Sequence, residues 1–326
     1  MIVFAGCTKD TATGPGGMSA DEADKQAVRT IVIQSDSVAD FSSSDESTID
    51  DNGMKSSDYE GLAKAGFDEE VITHVSGDSI YPVKWGRRII WDEIVRTYTV
   101  TKIGDSLANV LITKTLPGAF WVGLGTRTAD TVVVDTIIKK PFTETVKRNV
   151  LFRRIARHEN PLRNWIPVAI SMAQGKTDGG NKFSIISVTA TELNGTFDAT
   201  VTDPLGTWFR LGIFHGSIPL FPVRDSIRVR LTVQSANDSA EFVYLRHGID
   251  GGNLARRRGK MLLVSVTGGS GSYTRVYERT FVTSLPLYVL IARFNAVVDV
   301  MSYGSIYDND APFLNEFWAA PYVVRR

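Results

Sequence analysis

Regular alternation of apolar and polar residues is the feature that most restricts the fold of this chain. The clearest example is residues 226–234, where Ile227, Val229, Leu231 and Val233 alternate with polar side chains. Successive side chains of a strand point to opposite faces, so this spacing predicts a strand with one face in a core and one in water. The pattern favours an antiparallel sheet protein.

Similar short runs fill the C-terminal half of the chain, with turn residues between them. They cover residues 183–191, 196–202, 208–214, 226–234, 241–246, 261–267, 273–283, 287–292 and 320–324. Many short strands at regular spacing predict two packed sheets. On this pattern residues 181–326 resemble an immunoglobulin-like β-sandwich, although the cysteine and tryptophan core signature of antibody domains is lacking.

A helix is predicted near the N-terminus. Ser19 and Glu22 have the spacing of a capping box, in which the serine side chain accepts a hydrogen bond from the glutamate N–H. Apolar residues then recur every three or four positions, which predicts a helix over residues 20–36. Residues 36–57 are rich in Ser, Asp and Glu and have few apolar side chains to bury, so they predict a mobile acidic loop.

Strand-like sequence follows from residue 85 to residue 171, with turns predicted at Gly104-Asp105 and Pro117-Gly118. The helix, the strand entry at residues 104–110 and the late strand at residues 165–168 resemble the nuclear-transport-factor-two-like cone fold. That resemblance implies an N-terminal helix packed in the concavity of a bent sheet. It also implies a binding or scaffold module more than an isomerase.

The predicted fold is therefore mainly β and has two folded units. An α+β cone-like unit spans residues 19–172 and a sandwich spans residues 181–326. The polar, glycine-rich residues 173–180 predict a linker between them. Residues 1–18 form a separate N-terminal segment.

Cys7 is the only cysteine, and it follows small residues in the order Ala5-Gly6-Cys7. This resembles the lipobox of bacterial lipoproteins, in which the cysteine is lipidated and becomes the mature N-terminus. Phe4 stands where leucine is most usual, and the apolar stretch before Cys7 is short for a signal peptide. A polar, glycine-rich tether over residues 8–19 suits a lipid-anchored protein of the cell envelope. A chance tripeptide in a cytosolic chain is the alternative.

Charge and residue usage argue against several classes of function. Lys and Arg total 36 and Asp and Glu total 36, so the overall charge gives no reason to expect a nucleic-acid partner. A single cysteine allows neither a disulfide framework nor a thiolate zinc site. The four histidines lack metal-ligand spacing, and no serine lies in a G-x-S-x-G elbow. We therefore predict that the chain is not an enzyme, with catalysis in a cone cavity as the alternative.

Asp308 and Asp310 are the candidate metal ligands. They flank Asn309 on a predicted loop, and closely spaced carboxylates are ligands that calcium prefers. The glycine and distal glutamate of an EF-hand are lacking, and turn-forming Asp and Asn residues give the same pattern.

A basic loop is the second candidate site. Its members follow the glycine pair at residues 251–252 and are Arg256, Arg257, Arg258 and Lys260. They would contact phosphate, acidic glycans or the acidic segment of another copy. A solvated basic loop is the alternative.

These observations lead to two expectations from different classes. The first is a non-catalytic envelope lipoprotein that acts as a binding or adhesion module for a protein or glycan at the cell surface. The second is a structural subunit whose exposed strand edges and charged segments join copies into a layer or filament. In both, the lipid on Cys7 is the only contact with the membrane.

Lipidation gives the first testable prediction. Mass spectrometry of the protein from its native host should show an N-terminal Cys7 carrying two or three acyl chains, with residues 1–6 removed. A Cys7→Ser variant is the control and should release the protein from the membrane fraction. An unmodified chain that begins at Met1 in the cytosol would contradict the prediction.

Overall fold

The structure is a computed structural model, and it describes residues 19–34, 81–127, 132–212, 217–247, 257–285 and 287–326. These residues form a mainly β protein with one N-terminal helix and curled antiparallel sheets, which confirms the predicted fold class. Helix α1 is Ala20–Gln34 and the short helix α2 is Tyr303–Tyr307. Single turns of 3-10 helix lie at Trp91–Glu93 and Pro161–Arg163.

Sixteen strands lie within the described ranges. They are β1 (Tyr81–Ile89), β2 (Val95–Ile103), β3 (Leu107–Arg127), β4 (Val132–Arg154), β5 (Trp165–Thr177), β6 (Phe183–Glu192), β7 (Asp198–Val201), β8 (Trp208–Arg210), β9 (Leu220–Pro222), β10 (Ser226–Ser235), β11 (Phe242–His247), β12 (Arg257–Lys260), β13 (Leu262–Gly269), β14 (Ser272–Val282), β15 (Ile291–Met301) and β16 (Asn315–Arg325).

The strands form two sheets. The main sheet has the order β1-β3-β4-β5-β16-β15-β11-β12, with β2 beside β3, β8 beside β5 and β9 beside β16. The second sheet has the order β13-β14-β10-β6-β7. All pairs are antiparallel except β9 with β16. The two longest strands of the main sheet, β3 and β4, form one hairpin. Their pairing extends from Leu107 with Arg153 to Arg127 with Val132.

The two sheets pack face to face around one apolar core. Leu231 and Val233 of β10 lie in it together with Leu245 of β11, Val300 of β15 and Trp318 of β16. The strand predicted at residues 226–234 has the predicted orientation, because its odd-numbered residues from 227 to 233 are buried. Burial of this apolar face is what holds the second sheet on the main one.

A second core lies inside the curl of the main sheet. Phe120 of β3 stacks on Phe313, with ring centroids 4.3 Å apart, and Phe317 of β16 lies in the same cluster. The two end strands of the sheet meet through side chains, since the guanidinium of Arg258 on β12 lies 4.0 Å from the ring centroid of Trp85 on β1.

Helix α1 covers the other end of the long hairpin. Its first turn is capped as predicted, because the Glu22 N–H donates to Ser19 Oγ over 3.2 Å. Val28 and Val32 pack against apolar residues of β3, β4 and β5. Asp24 of the helix accepts a hydrogen bond from Trp165 Nε1 of β5 over 3.1 Å and pairs with Arg154 of β4. The helix is therefore fixed by both apolar and ionic contacts.

The turn predicted at Pro117-Gly118 is wrong, because both residues lie inside β3. At this position Gly118 leaves room for an aromatic ring, and Pro117 accepts a hydrogen bond from the backbone. A Cβ on Gly118 would lie 2.3 Å from Phe142 Cζ, and the Pro117 carbonyl accepts from the Ile90 N–H over 2.9 Å. The turn predicted at Gly104 is confirmed, with a φ of +61° that favours glycine.

Part of the predicted linker is also strand. Residues 173–177 form the end of β5, and Gly175 is needed there because a Cβ would lie 1.9 Å from Phe317 Cε1. Through this stretch β5 pairs with β16, from Ala173 opposite Ala319 to Lys176 opposite Glu316. The main sheet thus contains strands of both predicted units. Cys7 and the acidic segment 36–57 lie outside the described residues.

The orientation of β10 gives the second prediction. Leu231→Ala removes a fully buried side chain and should lower the free energy of unfolding of the whole chain by about 2 to 5 kcal/mol. The neighbouring Arg230 side chain is 57% exposed, so Arg230→Ala should stay within about 0.5 kcal/mol. Thermal and urea unfolding measure both, and equal losses would refute the assignment of faces.

Candidate functional site

A cluster of buried charges joins five strands inside the curl of the main sheet. Arg87 Nη2 of β1 donates to Asp299 Oδ2 of β15 over 2.6 Å, and Arg246 Nε of β11 donates to the same oxygen over 3.1 Å. Asn315 Nδ2 of β16 donates to Asp299 Oδ1 over 3.3 Å and to Glu144 Oε1 of β4 over 2.8 Å. Each of these side chains is almost completely buried.

The two carboxylates of this cluster have different surroundings. Burial raises the pKa of Glu144 to about 7, with a smaller contribution in the same direction from the negative charge of Asp299 and an opposing effect of the Arg87 guanidinium. Arg87 Nη1 lies 3.8 Å from Glu144 Oε2, which is an ion pair without a hydrogen bond. Burial thus favours the protonated form of the Glu144 carboxyl.

A second buried ion pair holds the connection between β10 and β11. Arg275 Nη1 of β14 donates to both carboxylate oxygens of Glu241 over 3.0 Å, and its Nη2 donates to the backbone carbonyls of Asn237 and Asp238. Tyr277 donates its hydroxyl proton to Glu241 Oε2 over 3.2 Å. Burial and the nearby carboxylate raise the pKa of this tyrosine, which keeps it protonated as a donor.

The predicted calcium ligands close a turn after α2. Asp308 Oδ1 accepts from the N–H groups of Asp310 and Ala311, over 3.0 and 3.2 Å. The buried Lys140 ammonium already lies beside this turn, where it donates to the carbonyls of Ser305 and Asp308. This geometry favours the turn-forming alternative. Among the described residues, no three His, Cys, Asp or Glu side chains group closely enough to hold a metal ion.

The predicted basic loop is in part a strand. Arg256 lies outside the described residues, whereas residues 257–260 form β12 and pair with β11. Arg258 stacks on Trp85 and Tyr244, at 4.0 and 5.2 Å from their ring centroids, and so closes the curl of the main sheet. The carbonyl of Lys260 accepts from Arg279 Nη1 over 2.6 Å. Of the predicted basic side chains that the structure describes, Arg258 and Lys260 are both only partly exposed.

The strongest candidate surface is the outer strand of the second sheet. Among the described residues β13 pairs with β14 alone, so within this part of the chain the opposite edge of its backbone is open. Its apolar side chains are half exposed, at 57% for Leu262, 42% for Leu263, 48% for Val264 and 49% for Val266. We call these four residues the edge strip.

The edge strip has apolar side chains on both faces of the sheet. Leu263 stands opposite the buried Tyr277, and Val266 stands opposite the buried Arg275. Both therefore point to the core side of the sheet, but both remain exposed there. Leu262 stands opposite Glu278 and points outward, while Val264 is the extra residue of a bulge. Exposed apolar surface of this kind in an open strand is typical of an interaction site.

Comparison with protein-family models, curated proteins and solved structures finds no match to this chain. Over the described ranges, no helix combines the length and the apolar character needed to cross a membrane.

Sequence reasoning placed a strand at residues 261–267 but did not identify it as an open edge. The available signal was composition, because residues 261–274 contain no charged side chain and Leu262, Leu263 and Val264 break the alternation. Natural edge strands usually carry lysine or other charges that discourage pairing. A long uncharged strand is the pattern that would have indicated the edge strip.

The buried glutamate gives the third prediction. The pKa of Glu144 is about 7 in the folded protein and 4.5 normally, so the folded state holds a proton that the unfolded state loses between these values. Stability should therefore fall as pH rises from about 5 to about 7, by roughly 3 kcal/mol, and level off above that range. Glu144→Gln should flatten this fall.

Urea unfolding at a series of pH values measures the effect. The same substitution at the exposed Glu93 is the control and should keep the pH dependence of the wild type. Identical slopes for wild type and Glu144→Gln would show that Glu144 does not titrate in this range.

Proposed function

We propose that this chain is a non-catalytic protein of the cell envelope, anchored through a lipid on Cys7, that binds another polypeptide along the edge strip. The observation that carries the proposal is the open backbone edge of β13 with apolar side chains on both of its faces. Strand addition to such an edge is a common mode of peptide recognition.

An added strand would satisfy the edge in two ways. Its backbone would pair with the outward N–H and C=O groups of β13, and its side chains would cover the apolar surface above and below the sheet. A ligand that lay on one face would leave the other face exposed. Binding of an extended polypeptide is therefore favoured over binding of a glycan at this surface.

The use of the buried charges supports binding rather than catalysis. Asp299 accepts from Arg87 and Arg246, and Glu241 accepts from Arg275, so each carboxylate joins separate strands. Such contacts stabilise the arrangement of strands around the apolar cores. They provide a rigid frame on which the edge strip is held.

The anchor is consistent with the position of α1. The proposed tether, residues 8–19, leads directly into this helix, which Asp24 fixes on the main sheet. A lipid on Cys7 would thus hold the folded body at the membrane through a firmly attached element. The edge strip lies on the second sheet, whereas α1 packs on strands of the main sheet.

A peptide-binding experiment tests the proposed edge. The probe is a fluorescent peptide of about eight alternating valine and threonine residues, with terminal lysines for solubility. Its anisotropy should rise saturably with the wild-type chain, and Val264→Lys should weaken binding by about tenfold or more, because a lysine on an edge disfavours pairing.

Val282→Lys is the matched control. Val282 is 51% exposed on the same sheet, but it lies in β14, which has β13 and β10 on its two sides. This variant should bind the peptide like the wild type. The titration uses protein at a concentration where it is monomeric, and absence of binding there, or equal binding by all three proteins, would overturn the proposal.

A further inference from the structure

We infer that the strand taken up by the edge strip is β13 of a second copy of this chain, paired antiparallel across a two-fold axis. The inference rests on the proposed function, since it requires that the edge accept a strand. The result would be a dimer in which two five-stranded sheets join into one continuous sheet.

A two-fold contact requires a surface that is complementary to itself. The backbone of an open antiparallel edge meets this requirement, because each copy offers the same alternation of N–H and C=O groups. Charged side chains near the axis would meet their own like charges and oppose pairing. From residue 261 to residue 274 the chain carries no charge, so this opposition is absent along β13.

The other edges of the described sheets differ in this respect. Among described edge strands longer than three residues, all except β13 carry charged side chains: Lys84, Arg87 and Arg88 in β1, Arg96 and Lys102 in β2, Asp198 in β7, and Arg257, Arg258 and Lys260 in β12. Natural proteins place charges on edges to prevent pairing between copies. The edge of β13 lacks this protection, which fits an edge that is occupied.

The distribution of apolar surface also fits a second copy. Leu262 is exposed on the outer face, and Leu263 and Val266 are exposed on the core side. In a two-fold antiparallel pair, the outer faces of both copies lie on the same side of the joined sheet. Leu262 of each copy then lies beside the outer face of its partner, and Leu263 and Val266 lie beside the core side of the partner. Both faces of the edge strip are then covered in both copies at once.

Sedimentation velocity of the full chain over about a hundredfold range of concentration tests the inference, in reducing buffer so that Cys7 cannot link copies. The wild type should show a concentration-dependent dimer. Val264→Lys should raise its dissociation constant by about tenfold or more, whereas Val282→Lys should not change it. Melting temperatures of the variants confirm that they are folded.

Hydrogen exchange gives a readout that needs no variant. Amides of residues 262–269 should exchange more slowly at high than at low protein concentration, while those of the charged edge at residues 95–103 should not change.

A monomer at all concentrations would overturn the inference, and the valine–threonine peptide would then decide whether the edge accepts strands at all. A dimer that persists in Val264→Lys but is lost in Leu287→Lys would place the contact at the exposed turn before β15 and also overturn it.

Discussion

The curl of the main sheet depends on one carboxylate, that of Asp299. It accepts hydrogen bonds from arginines on β1, the first strand of the sheet order, and on β11, the strand before the last. Through Asn315 it is also linked to Glu144 of β4. Removing one partner from a buried ion pair is far more costly than removing the whole group, because it leaves a charge in a low-dielectric interior. The network therefore specifies which strands face each other across the curl, while the surrounding aromatic cluster supplies the apolar burial.

The main sheet also determines how the chain is organised. β5 and β16 pair near the middle of its strand order, so the helix-bearing end and the sandwich end share one backbone network. Close packing at this junction requires the absence of a side chain on Gly175 beneath the Phe317 ring. Glycine often indicates a turn, but Gly175 lies within a strand and allows the backbone to approach an aromatic ring closely.

Local features of the fold could be predicted from the sequence because their causes are local. The cap at Ser19, the helix after it, the turn at Gly104 and the two faces of β10 follow from spacing alone. The turn expected at Gly118 was wrong, and residues 173–177 of the expected linker form a strand. Gly118 packs against Phe142 and Gly175 against Phe317, and both contacts join residues distant in sequence. The contact between Arg87 and Asp299 spans 212 residues, and no periodicity indicates such a partner. The edge strip was not predicted for the same reason. Whether a strand lies at the edge of a sheet depends on the order of the strands, and residue spacing along the sequence does not determine that order.

The position of β16 has a consequence for how the protein is made. This strand comprises residues 315–325, after every other described strand, yet in the main sheet it lies between β5 and β15. A ribosome therefore releases most of the sheet before the strand that connects its two parts exists, and until then residues 173–176 of β5 lack their partner on that side. Contacts between such distant residues form slowly because a long loop has to close first. Completion of the main sheet is thus a late event in folding, because the nascent chain remains without a central strand until every other described strand has been synthesised.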